Sequence, residues 1–126
     1  MNINRFGYKA KKLADDKWIV GKLDEGFGGF SIFWHVEGSL SASMRIDKDT
    51  ICSCTGVKDS KGNLIYENDY IKIVGAEGVI EKALVHYDED ILEYSVIIRE
   101  SEIPFRFVLM WLEQGKKCYV IGNKHD

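Results

Sequence analysis

Turn residues recur at short intervals through residues 55–73, and this spacing constrains the fold more than any other feature of the chain. The cluster Asp59-Ser60-Lys61-Gly62-Asn63 is followed, after Leu64-Ile65-Tyr66, by a second turn, Glu67-Asn68-Asp69. Glycine and asparagine are the residues that best accept a positive φ angle. The segment therefore predicts short strands joined by tight turns, and Gly56, Gly62, Asn63 and Asn68 are its candidate turn residues.

Strand patterns extend through the rest of the chain. Residues 5–11 and 17–23, separated by the polar turn Ala14-Asp15-Asp16, predict a hairpin. Alternation in residues 30–36 places four apolar side chains on one predicted core face: Phe30, Ile32, Trp34 and Val36. Later strands are predicted at 70–74, 78–87, 92–99 and 117–122. We expect a mainly-β fold, a small barrel or barrel-like sandwich of antiparallel strands with at most one short helix.

Residues 105–112 fit two structures. The apolar run Phe107-Val108 and Met110-Trp111 suits either a strand or one short helix. The single proline of the chain, Pro104, lies just before it, at a position that suits the first turn of a helix. The helix is the favoured alternative.

Composition bounds the class of protein. The 126 residues, 45% hydrophobic, suit one domain over residues 1–126. A net charge of −3 argues against a uniformly basic nucleic-acid-binding surface, although it does not exclude a local basic patch. The start lacks a signal-peptide pattern, no apolar stretch approaches the roughly 20 residues of a membrane span, and the cysteine count is odd. We expect a cytosolic protein without membrane association.

Catalytic and metal chemistry have little support in the sequence. Cys52 and Cys54 alternate, so in a strand both thiols face the same way, but the remaining cysteine and the histidines do not stand at metal-site spacing. Buried thiols that behave as small apolar groups are the better interpretation. Cysteine–histidine catalysis needs a base oriented by a third group, and the sequence indicates none. We therefore expect no enzymatic activity, no metal and no cofactor.

Two groups of residues are candidates for binding. Phe105, Arg106 and Phe107 form the most promising exposed trio, with Trp111 nearby, and aromatic and arginine side chains concentrate binding energy at protein interfaces. In the N-terminal part, which leans basic, the second group consists of Lys9, Lys11 and Lys17. Together with aromatic rings, these lysines are suited to nucleic acid.

A long stretch of the chain resembles a known family. Residues 54–71, Cys-Thr-Gly-Val-Lys-Asp-Ser-Lys-Gly-Asn-Leu-Ile-Tyr-Glu-Asn-Asp-Tyr-Ile, resemble the signature of the YopX family of phage and prophage proteins, approximately TGLKDKNGKEIYEGDIV. Three further segments agree in order with that family: residues 6–11 with 17–21, residues 46–51, and the closing Val120-Ile121-Gly122-Asn123. The resemblance implies a small mostly-β protein from a phage or an integrated element of bacteria, acting in the bacterial host cytoplasm, and it supplies no catalytic residues.

One departure from the signature makes a local prediction. Asn68 stands where the family usually has glycine, and asparagine is the non-glycine residue best suited to positive φ. We therefore expect a left-handed conformation at Asn68.

Three functions follow as hypotheses. The first is a non-enzymatic binding protein that acts on a host or phage protein; the alternative is a nucleic-acid-binding β-barrel protein. An enzyme is the third, and it would need a pocket that encloses a perturbed cysteine, histidine or carboxylate. Exposed sheet edges must be covered or paired, so a second copy of the chain is also among the expected partners, in a homo-oligomer.

Overall fold

The computed structural model describes residues 7–26, 28–36, 40–75, 77–78 and 80–126, without the side chains of residues 35, 36, 40, 41 and 80. The predicted strand positions Arg5 and Phe6 lie outside the described residues, as does the side chain of Val36. The elements in chain order are β1 (Tyr8–Lys11), β2 (Trp18–Gly26), β3 (Gly29–Val36), β4 (Leu40–Arg45), a 3₁₀ turn (Lys48–Thr50), β5 (Cys52–Lys58), β6 (Leu64–Tyr66), β7 (Asp69–Val74), β8 (Ile80–Asp88), β9 (Glu93–Ile98), β10 (Ser101–Pro104), α1 (Arg106–Glu113) and β11 (Lys117–Asn123).

The described strands form two antiparallel sheets, ordered β4-β3-β2-β1-β5-β6 and β10-β9-β8-β7-β11. The mainly-β prediction with one short helix is confirmed, and neither sheet closes on itself among these strands. The chain divides into two compact units, Met1–Cys54 and Thr55–Asp126. The expectation of a single domain over residues 1–126 stays a prediction.

The first unit is built on the predicted hairpin. Tyr8 to Lys11 pair with Gly21 to Trp18 across a turn in which Asp16 has a φ of 64°. One face of the sheet packs on a small cluster of buried side chains, Ala10, Ile32 and Ile46, with Phe30 half-buried against it. The predicted core face of β3 is thus confirmed at Phe30 and Ile32.

The second unit has a larger core. The alternation predicted for residues 70–74 is confirmed, because Ile71 and Ile73 point into the core while Lys72 does not. Helix α1 covers this core through Val108, which is fully buried. The buried members of the cluster are Ile65, Ile71, Ile73, Ala83, Val85, Val96, Phe105, Val108 and Cys118.

Pro104 has a different position from the one predicted. It ends β10, a four-residue edge strand that the sequence pattern did not indicate, and Phe105 separates it from α1. Proline lacks a backbone N–H and is tolerated at the edge of a sheet, which suits β10.

Candidate functional site

The first turn of the signature segment is organised by the side chain of Asp59. Its Oδ1 accepts hydrogen bonds from the backbone N–H groups of Lys61 at 2.9 Å and Asn63 at 2.8 Å. Its Oδ2 accepts from the backbone N–H of Val120 at 3.0 Å, 61 residues further along the chain. One carboxylate therefore shapes the turn and also bonds it to β11.

Burial and hydrogen bonding act on Asp59 in opposite directions. Desolvation raises the pKa of this carboxyl, but the bonds donated by the Val120, Asn63 and Lys61 amides outweigh it, and the net pKa is lowered. Next to it, Ser60 Oγ accepts from the Cys118 N–H at 3.0 Å, while the Ser60 N–H donates to the Cys118 carbonyl at 2.9 Å. Residues 59 and 60 thus supply bonding partners to the β11 backbone, which lies at an edge of its sheet.

The second turn is bonded to the chain end through Asp69. This side chain is fully buried; its Oδ2 accepts from the Tyr66 N–H at 2.8 Å and its Oδ1 from Asn123 Nδ2 at 2.9 Å. Between Tyr66 and Asp69, Asn68 has a φ of 69°, which confirms the left-handed conformation predicted for it. Asn68 donates its N–H to the Val85 carbonyl and accepts from the Lys124 N–H, both at 2.8 Å.

The other predicted turn residues lie as follows. Gly62 is inside the first turn with a φ of 88°, and Asn63 follows it, bonded to Asp59. Gly56 also has a positive φ, 81°, but it lies inside β5 and not in a turn. A positive φ within a strand is open to glycine and bends the strand locally.

The predicted aromatic group on α1 is only partly exposed. Phe105, expected to be exposed, is buried at 6% exposure, because its N–H donates to the Tyr94 carbonyl and its ring belongs to the core cluster. Arg106 is exposed, and its Nη1 lies 3.0 Å from Glu93 Oε1. Phe107 is 38% exposed, and Trp111 is half-buried.

Three apolar side chains are exposed on α1. Phe107 and Met110, three residues apart, are neighbours on the helix surface, and Leu109 lies across the exposed side, on a helix whose opposite side packs on the core through Val108. At the C-terminal end of the helix, Trp111 lines a cavity of about 150 Å³. The other lining residues are Ile73, Gly75, Glu81, Ile98 and Lys116. We call this combination of helix face and cavity the α1 surface.

The predicted lysines fall into two settings. Lys9 and Lys11 alternate along β1, and their Nζ atoms lie 4.7 and 5.6 Å from the ring centroid of Trp18. Lys17 lies in the exposed turn before β2, where its N–H donates to Asp15 Oδ1. The structure therefore brings Lys9 and Lys11 to one aromatic ring and places Lys17 in a turn.

Strand register extends the face that bears Lys9 and Lys11. Residues that alternate along a strand, or that lie directly opposite one another on neighbouring antiparallel strands, share a face. By the observed register, this face, which we call the basic face, contains on β1 to β4 the residues Lys9, Lys11, Trp18, Val20, Lys22, Asp24, Ser31, Phe33, Ser43 and Arg45. On β5 the buried Cys52 lies opposite Lys9. The opposite face of the same sheet packs on the cluster of Ala10, Ile32 and Ile46.

A protein-family model described as YopX protein matches residues 11–126. The chain belongs to the YopX family. No curated protein and no solved structure matches the chain.

Hydrogen bonds of the second unit join two segments that resemble the YopX family. In residues 54–71 and the closing Val120-Ile121-Gly122-Asn123 segment, the Val120 N–H donates to Asp59, and Asn123 Nδ2 donates to Asp69 and to the Glu67 carbonyl. Segments far apart in the sequence are thus parts of one structural unit. The turn residues that resemble the YopX signature shape this unit and bind its two ends together.

The three cysteines of this YopX family member are all buried. Desolvation raises the pKa of the Cys118 thiol, and the Asp59 carboxylate beside it adds to that rise. A thiol with a raised pKa is protonated at neutral pH and is a poor nucleophile. Within the described residues, no group of three or more histidine, cysteine or acidic side chains is arranged to hold a metal ion.

Among the helices of the described residues, none is long and apolar enough to cross a membrane.

Sequence reasoning overlooked several of the residues that build these surfaces. The sequence assigns Asp59 and Asp69 to turns and Asn123 to the closing segment, but it does not predict their bonding partners, because these lie 54 to 61 residues away. Met110 and Lys116 join the α1 surface only once the helix and its register are known. The alternation of Lys9 and Lys11 was a usable signal, since residues two apart in a strand share a face.

Proposed function

We propose that this chain is a phage- or prophage-encoded, non-enzymatic binding protein that acts in the bacterial cytoplasm and engages a host or phage protein through the α1 surface. The observation that carries the proposal is the apolar cavity of about 150 Å³ beside an exposed apolar helix face. Apolar patches of this kind, rimmed by charged residues, are typical of protein interaction sites.

The size and lining of the cavity indicate what it would accept. An apolar cavity of about 150 Å³ in another protein takes up one benzene molecule. Ile73, Ile98 and Trp111 form an apolar lining here, so one aromatic or branched aliphatic side chain of a partner fits. Lys116, whose Nζ lies 5.3 Å from the Trp111 ring centroid, lines the same cavity, as does Glu81, which is paired with Arg99 at 2.7 Å.

The arrangement around Arg106 supports a fixed binding surface. Arg106 is bonded to Glu93, and its guanidinium lies 5.8 Å from the Phe107 ring centroid. Arginine held over an aromatic ring is preorganised, so less conformational entropy is lost when a partner binds.

Affinity capture from infected or lysogenic host cells tests this function. The baits are the wild-type chain, Met110→Glu in the α1 surface, and Ile91→Glu, a matched control at an exposed apolar residue in the turn after β8. Each capture is run with and without nuclease. We expect the wild type and Ile91→Glu to retain one stoichiometric protein after nuclease treatment, and Met110→Glu to lose it while keeping its unfolding midpoint.

Recovery of no stoichiometric protein, or equal recovery by all three baits, would contradict the proposal. Loss of the captured protein from every bait after nuclease treatment would point instead to nucleic acid. That alternative function has its own observation in the first unit, where two ammonium groups lie over one indole ring.

A further inference from the structure

The basic face of the first unit concentrates positive charge that the whole chain lacks. The chain has a net charge of −3, yet the cations on the described part of this face are Lys9, Lys11, Lys22 and Arg45, against one carboxylate, Asp24. Lys22 and Arg45 are exposed, and Lys9 and Lys11 are half-buried. The local excess of positive charge favours an anionic ligand.

Trp18 contacts two of these cations. The ammonium groups of Lys9 and Lys11 both lie within 6 Å of its ring centroid. Each is attracted electrostatically by the negative face of the indole. Trp18 thus restrains two of the cations of this face before any ligand binds.

The rest of the face repeats the combination of cation and ring. Lys22 lies directly opposite the half-buried Phe33, on the next strand of the sheet. Trp18 and Lys22 are four residues apart in β2, which corresponds to about 13 Å along an extended strand. Arg45 continues the row two strands away, beside Gly29, where a side chain would collide with its guanidinium.

We propose that the basic face binds single-stranded nucleic acid, with the phosphate backbone on Lys9, Lys11, Lys22 and Arg45. Proteins that bind single strands without sequence preference combine a positive track for the backbone with aromatic rings on which bases stack. An unpaired base can stack on an aromatic ring such as that of Phe33, whereas a duplex keeps its bases stacked inside. An acidic peptide matches the cations but gives the rings no planar partner. The site lies in the first unit, so it is independent of the α1 surface.

Fluorescence anisotropy with a labelled mixed-sequence single strand of about 20 nucleotides tests the proposal. The key variant is Lys9→Gln with Lys11→Gln, and the matched control is Lys82→Gln, which removes an exposed lysine whose Nζ lies 4.4 Å from the Tyr70 ring centroid in the second unit. Unlabelled duplex of the same sequence and polyglutamate serve as competitors. Trp18→Leu is a further variant that keeps all the charges.

The salt dependence of the binding affinity gives the most quantitative prediction. Four phosphate contacts on a single strand predict that raising salt from about 50 to about 200 mM weakens wild-type binding about 50-fold, against about 7-fold for the double variant with two contacts. The Lys82→Gln control should follow the wild type. Trp18→Leu should bind more weakly, with a smaller change in salt slope than the double variant shows.

Four results would overturn the proposal. They are no binding at the lower salt, an equal loss for Lys82→Gln and the double variant, tighter binding of duplex than of single strand, and competition by polyglutamate as strong as by the oligonucleotide. The last result would assign the face to acidic peptides. None of the four bears on the α1 surface, which is tested by Met110→Glu after nuclease treatment.

Discussion

Among the described residues, the second unit buries nine side chains in one cluster, whereas the buried cluster of the first unit has three. The second unit adds hydrogen bonds from Asp59 and Asp69 that join the signature to the chain end. The first unit instead displays cations and rings on one face of its sheet. The comparison indicates that Asp59 and Asp69 of residues 54–71 stabilise the second unit, while the surfaces proposed for binding lie outside that segment.

The largest expected effect is on Asp69. Asp69→Ala removes the buried carboxylate that accepts from the Tyr66 N–H and from Asn123 Nδ2, and each hydrogen bond to a charged group contributes about 1.5–3 kcal/mol. We expect the free energy of unfolding of the second unit to fall by about 3 kcal/mol in a denaturant titration. The control Asp90→Ala, in an exposed turn, should change it by less than about 0.5 kcal/mol. Equal losses of unfolding free energy in Asp69→Ala and Asp90→Ala would contradict a structural role for Asp69.

Asp59 predicts a dependence of stability on pH. Because its pKa is lowered in the folded state, its contribution is complete above the unfolded value of 3.8 and is lost as the pH falls through the folded pKa. Asp59→Asn places an amide against the Val120 N–H, so we expect it to lower the free energy of unfolding near pH 7 by about 1–2 kcal/mol.

The measurement for Asp59 is the free energy of unfolding from pH 7 down to about pH 2.5. The gap between the wild type and Asp59→Asn should narrow as the pH falls below 3.8. A gap that stays constant over this range would show that the Asp59 charge does not contribute to stability.

Substitutions at Asn68 test the turn geometry, and we expect them to change stability less than the Asp69 and Asp59 variants do. A left-handed φ costs most residues about 1–2 kcal/mol, and glycine pays no such penalty. We expect Asn68→Ala to lower the thermal midpoint and Asn68→Gly to leave it within about 1–2 °C, since the φ of 69° suits glycine. A larger loss for glycine than for alanine would contradict the turn interpretation.

Substitution of Gly75 has the smallest expected effect on stability, and it therefore tests binding of the partner separately from stability. An added Cβ at Gly75 meets no atom within 4 Å, and Gly75 lines the α1 cavity. Gly75→Leu should therefore leave the free energy of unfolding within about 0.5 kcal/mol. In the affinity capture it should lose the partner protein, as Met110→Glu does. Undiminished capture by this variant would exclude the cavity from the interface.

Local chemistry predicted much of this fold. The positive φ of Asn68, the β1–β2 hairpin and the alternation of Ile71 with Ile73 follow from turn preference and side-chain period, and the structure confirms each of them. The short helix followed from an apolar run near Pro104, and it is confirmed as α1.

Long-range packing decided what the sequence could not predict. Phe105 was expected to be exposed; this was wrong because its orientation depends on the bond to Tyr94, 11 residues earlier in the chain. The partners of Asp59 and Asp69 could not be inferred, since local patterns do not contain contacts across 54 to 61 residues. The basic face could not be identified without the strand register, which places Lys22 opposite Phe33 and Lys11 opposite Trp18.

Amide hydrogen exchange on the wild-type chain tests the scaffold role of the signature most directly. The N–H groups of Tyr66 and Val120 donate to Asp69 and Asp59, whose side chains are buried, while the Asp90 N–H donates to the carboxylate of Asp88 at an exposed amide. If the signature stabilises the second unit, the Tyr66 and Val120 amides exchange only when that unit unfolds, far more slowly than Asp90. Exchange of Tyr66 and Val120 as fast as that of Asp90 would contradict the account.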